Sequence, residues 1–189
     1  MKHLFLAAAL SAAVLLGQEF KLGSTVGDFS LQSLDGAPVQ FSSLRGPVTV
    51  VTFVSVQCPV SNSYNERMNA IYKDYEARGV KFVFVNANHT EPAAQVAEHA
   101  KQHLAFPVYR DENNVVADRF GASVTPEAYV IDSSGVIRYH GSIDDAMDIR
   151  HVREQRLRNA LDEVLAGKTV ARAETKAFGC SIKRVKREP

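Results

Sequence analysis

Few features of this sequence suggest a bound cofactor or a nucleic-acid partner. The 189 residues carry a formal net charge of +1, which argues against nucleic acid or an acidic membrane surface as the main partner. The chain has no phosphate-binding loop, no Ser–His–Asp order and no catalytic carboxylate pair. It also lacks internal repeats and low-complexity blocks. We therefore expect no cofactor and one ordinary globular domain, in keeping with 46% apolar and 23% charged residues.

Cysteine is also scarce, and neither of the two cysteines, Cys58 and Cys180, lies at the start of the chain. Residues 1–17 combine a basic start, an apolar run and small residues, which is typical of a secretory signal peptide and too short to span a membrane comfortably. A retained membrane anchor is the alternative. The missing cysteine excludes a cysteine-lipidated signal. We expect an exported protein, periplasmic or extracellular, without membrane contact after cleavage, in a compartment where disulfides persist.

Residues 18–170 are predicted to form one α/β domain, and residues 171–189 a tail that carries the second cysteine. Alternating residues around Asp35-Gly36 predict a first hairpin. The β-branched runs PVTVVTFVSV and VKFVFV predict two buried strands, each followed by a helix. The second helix is expected to open at Thr90-Glu91-Pro92, with Pro92 in its first turn. EAYVID and VIRYHG predict a second hairpin, and a last helix follows. This order predicts a mixed central sheet with helices on both faces.

The first cysteine lies where the first buried strand gives way to a helix. Open α/β sheets place their sites at such strand ends, and Pro59 suits the first helical turn because its φ is preset. If Cys58 lies near the helix N-cap, the free N–H groups and the positive helix end favour its thiolate. A buried structural cysteine is the alternative. Position alone leaves both interpretations open.

A second motif, VTPEAYVID, places Thr125-Pro126 just before a strand. Together with TFVSVQCPV it resembles the thioredoxin-like superfamily. More narrowly, residues 22–184 resemble exported, peroxiredoxin-like proteins of the alkyl hydroperoxide reductase/thiol-specific antioxidant family. The resemblance implies a thioredoxin-like fold with Cys58 as the nucleophile and Pro126 as a cis proline that shapes the substrate groove. It also implies that Thr125 and Pro59 support the site.

The sequence departs from the patterns of this family at several positions. Ser61 stands where a dithiol site has its second cysteine, and we expect it to hydrogen-bond the thiolate. Ser55 fills the Thr/Ser place of the peroxidase motif, whereas Val51 stands where that motif has proline. The arginine of the peroxidase site has no certain equivalent, and only Arg119 and Arg138 are candidates for it. These departures favour disulfide exchange over peroxide reduction.

The role of Cys180, 122 residues after Cys58, has three possible readings. It can resolve oxidised Cys58, form a static disulfide with it, or pair with another subunit. A bond closing so long a loop would restrict the unfolded chain by about 4–5 kcal/mol, which favours the static reading. A mobile tail would favour the redox-active one, because the bond could then break without unfolding the core.

The sequence therefore predicts an exported thiol oxidoreductase in which Cys58 attacks and Cys180 resolves. Its partners would be a protein or small-molecule disulfide, or a hydroperoxide, together with a thiol reductant. A non-catalytic module with a structural disulfide is one alternative. Cu(I) binding by both cysteines and a histidine is another. We predict no metal site: His99 and His103 have helical spacing but read as surface residues, while His140 is a candidate polar neighbour of the site.

Overall fold

The computed structural model describes residues 19–186. The predicted signal peptide, residues 1–17, lies outside the described residues. Within residues 19–186 no helix is long and apolar enough to cross a membrane.

Strands and helices alternate through the first half of the described chain. The elements are β1 (Ser30–Gln32), β2 (Pro38–Gln40), α1 (Phe41–Leu44), β3 (Val48–Val54), α2 (Pro59–Ser63), α3 (Asn65–Glu76), β4 (Val80–Asn86) and α4 (Ala93–His103). The hairpin predicted around Asp35-Gly36 is the β1–β2 pair. Both predicted buried strands are present as β3 and β4.

Shorter elements make up the second half. They are β5 (Val108–Arg110), a 3₁₀ turn (Glu112–Asn114), α5 (Val115–Phe120), β6 (Val124–Thr125), β7 (Glu127–Ile131), β8 (Ile137–Gly141), a second 3₁₀ turn (Ile149–His151), α6 (Arg156–Leu165) and β9 (Cys180–Ser181). The predicted second hairpin is the β7–β8 pair.

Seven strands form one mixed sheet in the order β2-β1-β5-β4-β3-β7-β8. β4 runs parallel to both β3 and β5, whereas β7 runs antiparallel to β3. β6 and β9 form a separate two-stranded sheet. The predicted mixed sheet is thus confirmed.

Both faces of the sheet are covered. Successive residues of β3 point to opposite sides of the sheet, so they contribute to two separate cores. Val50 and Val54 belong to a core that includes residues of α3 and α6. Val51 and Phe53 belong to a second core that includes Phe120 of α5. All seven residues of β3 are buried, which explains why its sequence reads as a continuous apolar run rather than an alternating one.

Two helix boundaries differ from the sequence-based expectation. The helix after Cys58 is divided into α2 and α3, which meet at Tyr64. The next helix begins at Ala93 and not at Thr90, because Pro92 has an extended conformation (ψ 148°) and acts as the N-cap. The side chain of Glu91 is therefore free to turn inward, and only 1% of Glu91 is exposed.

Tyr64, at the junction of α2 and α3, is a buried anchor for the loop after β8. Its hydroxyl donates to Asp144 Oδ1 at 2.6 Å and lies 3.0 Å from the Ala146 carbonyl oxygen. The Arg67 guanidinium lies 3.6 Å from the ring centroid and forms a salt bridge with Asp144. Burial, together with the neighbouring Asp144 carboxylate, raises the pKa of the Tyr64 hydroxyl. The hydroxyl thus remains a donor at all ordinary pH values.

We expect Tyr64→Phe to lower the free energy of unfolding by about 1–3 kcal/mol, because Asp144 loses a buried donor. Urea denaturation followed by circular dichroism measures this change. Tyr72→Phe is the matched control, since the Tyr72 hydroxyl has no hydrogen bond within residues 19–186. Equal losses for the two variants would contradict the anchoring role of Tyr64.

Candidate active site

The direction of three strands brings the site residues to one edge of the sheet. In the parallel β3–β4 pair, Val54 lies opposite Asn86, so the two strands end together. In the antiparallel β3–β7 pair, Phe53 lies opposite Glu127, so β7 starts where β3 ends. The segments that follow β3 and β4 therefore meet the segment that precedes β7.

Cys58 occupies the N-cap position of α2, the position that would favour its thiolate. Pro59 is the first helical residue, and the Ser61 backbone N–H donates to Cys58 Sγ at 3.2 Å. Only 2% of Cys58 is exposed. A sulfur that caps a helix in this way is placed where its thiolate would be stabilised by N–H groups and by the helix dipole.

The two predicted serines hold the backbone around this cysteine. Ser55 Oγ accepts the Cys58 N–H at 3.0 Å, and Ser61 Oγ accepts the Ser55 N–H at 3.1 Å. The expected hydrogen bond from Ser61 to sulfur is therefore made by its backbone, while its side-chain oxygen fixes the preceding loop.

Thr125 and Pro126 face the sulfur from the other side. Their peptide bond is cis, as the family resemblance implied. The Thr125 carbonyl oxygen lies 3.4 Å from Cys58 Sγ. Thr125 Oγ1 is buried and has no hydrogen-bond partner within the described part of the chain.

Cys180 is joined to Cys58 by a disulfide, with the two Cα atoms 5.8 Å apart. This separation is within the usual range for disulfides. Cys180 lies in β9, where it pairs with Thr125 of β6. The chain is thus in an intramolecular, oxidised form, which is compatible with both the resolving and the static roles of Cys180.

The tail around Cys180 is docked on the domain, so the argument from a mobile tail does not support the redox-active interpretation. Ile182 is buried, and its N–H donates to the Ser123 carbonyl at 3.0 Å. Side-chain amides hold the backbone further along: the Lys183 N–H donates to Asn88 Oδ1 at 2.7 Å and the Val185 N–H to Asn114 Oδ1 at 2.8 Å. The burial of one apolar side chain and these bonds keep the segment in place.

Glu91 is the functional candidate that the sequence did not reveal. Its buried carboxylate accepts hydrogen bonds from the Ser55 hydroxyl, the Val56 and Gln57 N–H groups and the Asn86 side chain. In the sequence, an acidic residue before a proline indicates the start of a helix. No local pattern indicates that its hydrogen-bond donors lie 34–36 residues away.

His140, a predicted polar neighbour of the site, is half-buried and contacts Glu127, the residue that follows the cis proline. Its Nε2 lies 2.6 Å from Glu127 Oε1, and its ring stacks on Tyr129. Glu127 Oε2 accepts the Ser123 and Val124 N–H groups and so fixes β6. Burial alone would raise the pKa of Glu127, but the hydrogen bonds from His140 and from the two backbone N–H groups bring it below the ordinary value.

Neither arginine named as a peroxidase candidate lies at the site. Arg119 donates to the Asp28 carbonyl at 3.1 Å and lies over the Phe20 ring. Arg138 pairs with Asp132, just beyond the other end of β7. The structure therefore does not support either candidate: Arg138 lies at the start of β8, at the sheet edge opposite Cys58, and Arg119 of α5 is engaged by Asp28 and Phe20.

The histidines on α4 lie close to each other, with ring centroids of His99 and His103 4.6 Å apart. Within residues 19–186, no group of three or more His, Cys, Asp or Glu side chains is arranged to hold a metal ion. In the disulfide form, neither sulfur is a free thiolate ligand.

A mixed sheet in which a helix-capping cysteine faces a cis proline defines a thioredoxin-like thiol redox protein. The AhpC/TSA family model matches residues 22–140, which is more than half of the chain. The chain therefore belongs to the AhpC/TSA family.

Known proteins support this assignment. The thiol-disulfide oxidoreductase ResA of Geobacillus thermodenitrificans is 29% identical over 118 residues, which cover 62% of this chain and 67% of ResA. A conserved protein of Geobacillus kaustophilus, whose crystal structure is known, is 28% identical with a TM-score of 0.82, over 89% of this chain and 95% of that one. The peroxidoxin BcpB of Mycobacterium tuberculosis shares the fold, with a TM-score of 0.62 and 23% identity, over 79% and 98% of the two chains.

These similarities confirm the predicted family, the thioredoxin-like α/β fold and the class of thiol oxidoreductase. The roles of Cys58, Cys180 and Pro126, and those of Pro59, Ser55, Ser61 and Thr125, stay predictions.

Gly179 allows the tail to approach the cis proline. A Cβ at this position would overlap the Thr125 carbonyl. We expect Gly179→Ala to lower the equilibrium constant for the Cys58–Cys180 disulfide by roughly tenfold, which corresponds to an overpacking strain of about 1.4 kcal/mol. Thiol titration in glutathione buffers measures it. Gly27→Ala is the control, because its Cβ would meet Arg119 at an ordinary 3.6 Å, and an oxidised fraction equal to that of the control would contradict the close approach.

We expect the Glu127 carboxylate to stabilise the fold above its ordinary pKa of 4.5. Because the folded pKa is below the unfolded one, this contribution is complete at neutral pH and disappears as the pH falls through the folded pKa. Glu127→Gln should therefore lower the free energy of unfolding by about 1–3 kcal/mol at pH 7, and less in acid. Urea unfolding at several pH values, with exposed Glu76→Gln for comparison, measures this, and a loss independent of pH would disprove it.

Proposed function

We propose that this protein is a thiol–disulfide oxidoreductase whose redox centre is the Cys58–Cys180 pair. The observation that carries the proposal is the position of the Cys58 sulfur, which caps α2, accepts the Ser61 N–H and is bonded to Cys180 beside Pro126. These surroundings stabilise a thiolate at Cys58, and a stabilised thiolate is both a competent nucleophile and a good leaving group.

The reaction moves two electrons between two thiols and a disulfide. In the reduced protein, the Cys58 thiolate attacks one sulfur of a substrate disulfide and expels the other as a thiolate, which then takes up a proton. The Cys180 thiolate then attacks Cys58 in this mixed disulfide. The second substrate thiol leaves and the Cys58–Cys180 bond forms, so the substrate is reduced and the protein is oxidised.

A thiol reductant is needed to complete the cycle. Two equivalents of thiol, or one dithiol, reduce the Cys58–Cys180 bond and are themselves oxidised to a disulfide. Cys180 is half-buried whereas Cys58 is buried, so the reductant is expected to attack Cys180. Cys58 then leaves as the helix-stabilised thiolate.

Two observations favour a disulfide over a hydroperoxide as substrate. The Ser55 hydroxyl, which fills the Thr/Ser place of the peroxidase motif, donates its one proton to Glu91 and has none left for a peroxide oxygen. Neither Arg119 nor Arg138 lies near Cys58.

The cellular setting follows from the sequence and remains part of this proposal. The predicted signal peptide, residues 1–17, would direct the chain to a periplasmic or extracellular location, where a Cys58–Cys180 bond persists. The partners would be a protein or small-molecule disulfide and a thiol reductant, with no role for nucleic acid or for membrane contact. We divide the mature chain into a redox domain, residues 18–170, and a cysteine-bearing tail, residues 171–189.

A structural disulfide in a non-catalytic module is the second candidate function. The docked tail favours it, because Ile182 is buried and the backbone beyond Cys180 is held by Asn88 and Asn114. In that case the bond would serve only to fasten the tail.

The reduction potential of the Cys58–Cys180 pair distinguishes the two candidates. We expect a potential above about −300 mV, measured in dithiothreitol redox buffers. In Cys180→Ser we expect a Cys58 thiol pKa below the free value of about 8.5, and Cys58→Ser serves as the control for the remaining thiol.

The same reduced protein is offered an insulin disulfide and hydrogen peroxide, and we expect faster reaction with the disulfide. A potential well below about −300 mV together with an ordinary thiol pKa would support the structural bridge and overturn the oxidoreductase.

A further inference from the structure

Glu91 is a buried carboxylate directed at the loop that carries the reactive cysteine. It lies between β4 and α4, and its two oxygens accept four hydrogen bonds. Three of the donors belong to consecutive residues just before Cys58: the Ser55 hydroxyl and the N–H groups of Val56 (3.0 Å) and Gln57 (3.2 Å). Glu91 thus binds the whole turn between β3 and Cys58 from inside the protein.

A chain of two hydrogen bonds connects this carboxylate to Cys58. The Cys58 N–H donates to Ser55 Oγ at 3.0 Å, and the Ser55 hydroxyl donates to Glu91. A serine hydroxyl has a single proton, so its orientation is fixed by the carboxylate. The position of the Cys58 backbone therefore depends on Glu91.

The charge of Glu91 is stabilised by hydrogen-bond donors and not by a cation at the carboxylate. Within residues 19–186 the carboxylate forms no salt bridge. The nearby guanidinium of Arg110 donates to the backbone carbonyl of Glu91 instead. On α4, burial and the neighbouring His103 lower the pKa of the His99 imidazole, and the Glu91 charge acts against that shift. Four donors make a buried charge tolerable, and a negative charge near a thiol disfavours ionisation of that thiol.

We propose that Glu91 is a positioning residue for Cys58: its carboxylate holds residues 55–58 in the helix-capping geometry, and its charge opposes ionisation of the reduced thiol. This inference rests on the proposed function. The helix start favours the Cys58 thiolate and Glu91 opposes it, so the balance of the two sets both the reactivity of the thiol and the stability of the disulfide.

Glu91→Gln keeps the shape of the side chain and removes its charge. In the Cys180→Ser background, we expect the Cys58 thiol pKa to fall by about one unit, as measured by the pH dependence of iodoacetamide alkylation. With both cysteines present, the reduction potential should rise, because the reduced form is stabilised. Glu98→Gln, on the exposed side of α4, is the matched control. A Glu91→Gln pKa and potential equal to those of this control would overturn the proposal.

A second pair of variants covers the case in which Glu91→Gln does not fold. Ser55→Ala keeps the carboxylate but removes the link to the Cys58 N–H, and Ser55→Thr restores a hydroxyl. We expect the alkylation rate of the fully ionised Cys58 to fall about tenfold in Ser55→Ala through misplacement of the sulfur, and to recover in Ser55→Thr. An unchanged rate in Ser55→Ala would overturn the positioning role.

The two proposals fail in different ways. If the unsubstituted protein has a disulfide that resists reduction, the proposed function is wrong, whatever Glu91 does. If that disulfide is redox-active and both sets of variants behave like Glu98→Gln, only the role of Glu91 is wrong.

Discussion

The parallel pairing of β3 with β4 is the constraint on which the site depends. Parallel neighbours end at the same edge of a sheet, so the turn after Val54 and the turn after Asn86 lie side by side. This proximity allows Glu91, which follows β4, to bind the backbone between β3 and Cys58. β7 is antiparallel to β3 and therefore starts at the same edge, so the cis proline that precedes β7 also lies there. A sheet with a different strand order would separate all three.

The contacts of the tail bear on two opposing requirements: a stabilising disulfide and a disulfide that is broken in each redox cycle. A disulfide that closes a 122-residue separation restricts the unfolded chain strongly, by about 4–5 kcal/mol in the entropy description. A redox centre, however, must lose that bond in every cycle. The β6–β9 pairing and the contacts of Ile182 and Lys183 do not involve sulfur. They can therefore hold the segment when the bond is broken, so that reduction need not release the tail or disturb the core.

Local patterns in the sequence predicted the fold and part of the site. Each of the useful motifs lies within a few residues: the β-branched runs of β3 and β4 predicted strands, and Cys58-Pro59 and Thr125-Pro126 predicted the two sides of the site. Glu91 and Asn88 could not be identified in this way, since their partners are 34–36 and 95 residues away. Gly179 presents the same difficulty: its small size matters only because the Thr125 carbonyl lies against it. Contacts that form between distant segments leave no periodicity, and the docked tail was missed for that reason.

The docked tail also has a consequence for competition among thiols. If Cys180 resolves as proposed, its position against β6 would present it to the mixed disulfide at an effective molarity far above that of free thiols in solution. Millimolar small thiols should therefore rarely intercept the intermediate, and the substrate should leave before a second protein can be trapped on Cys58. Under the proposed function, fixing Cys180 beside the cis proline would commit each encounter to a complete two-electron transfer within a single molecule.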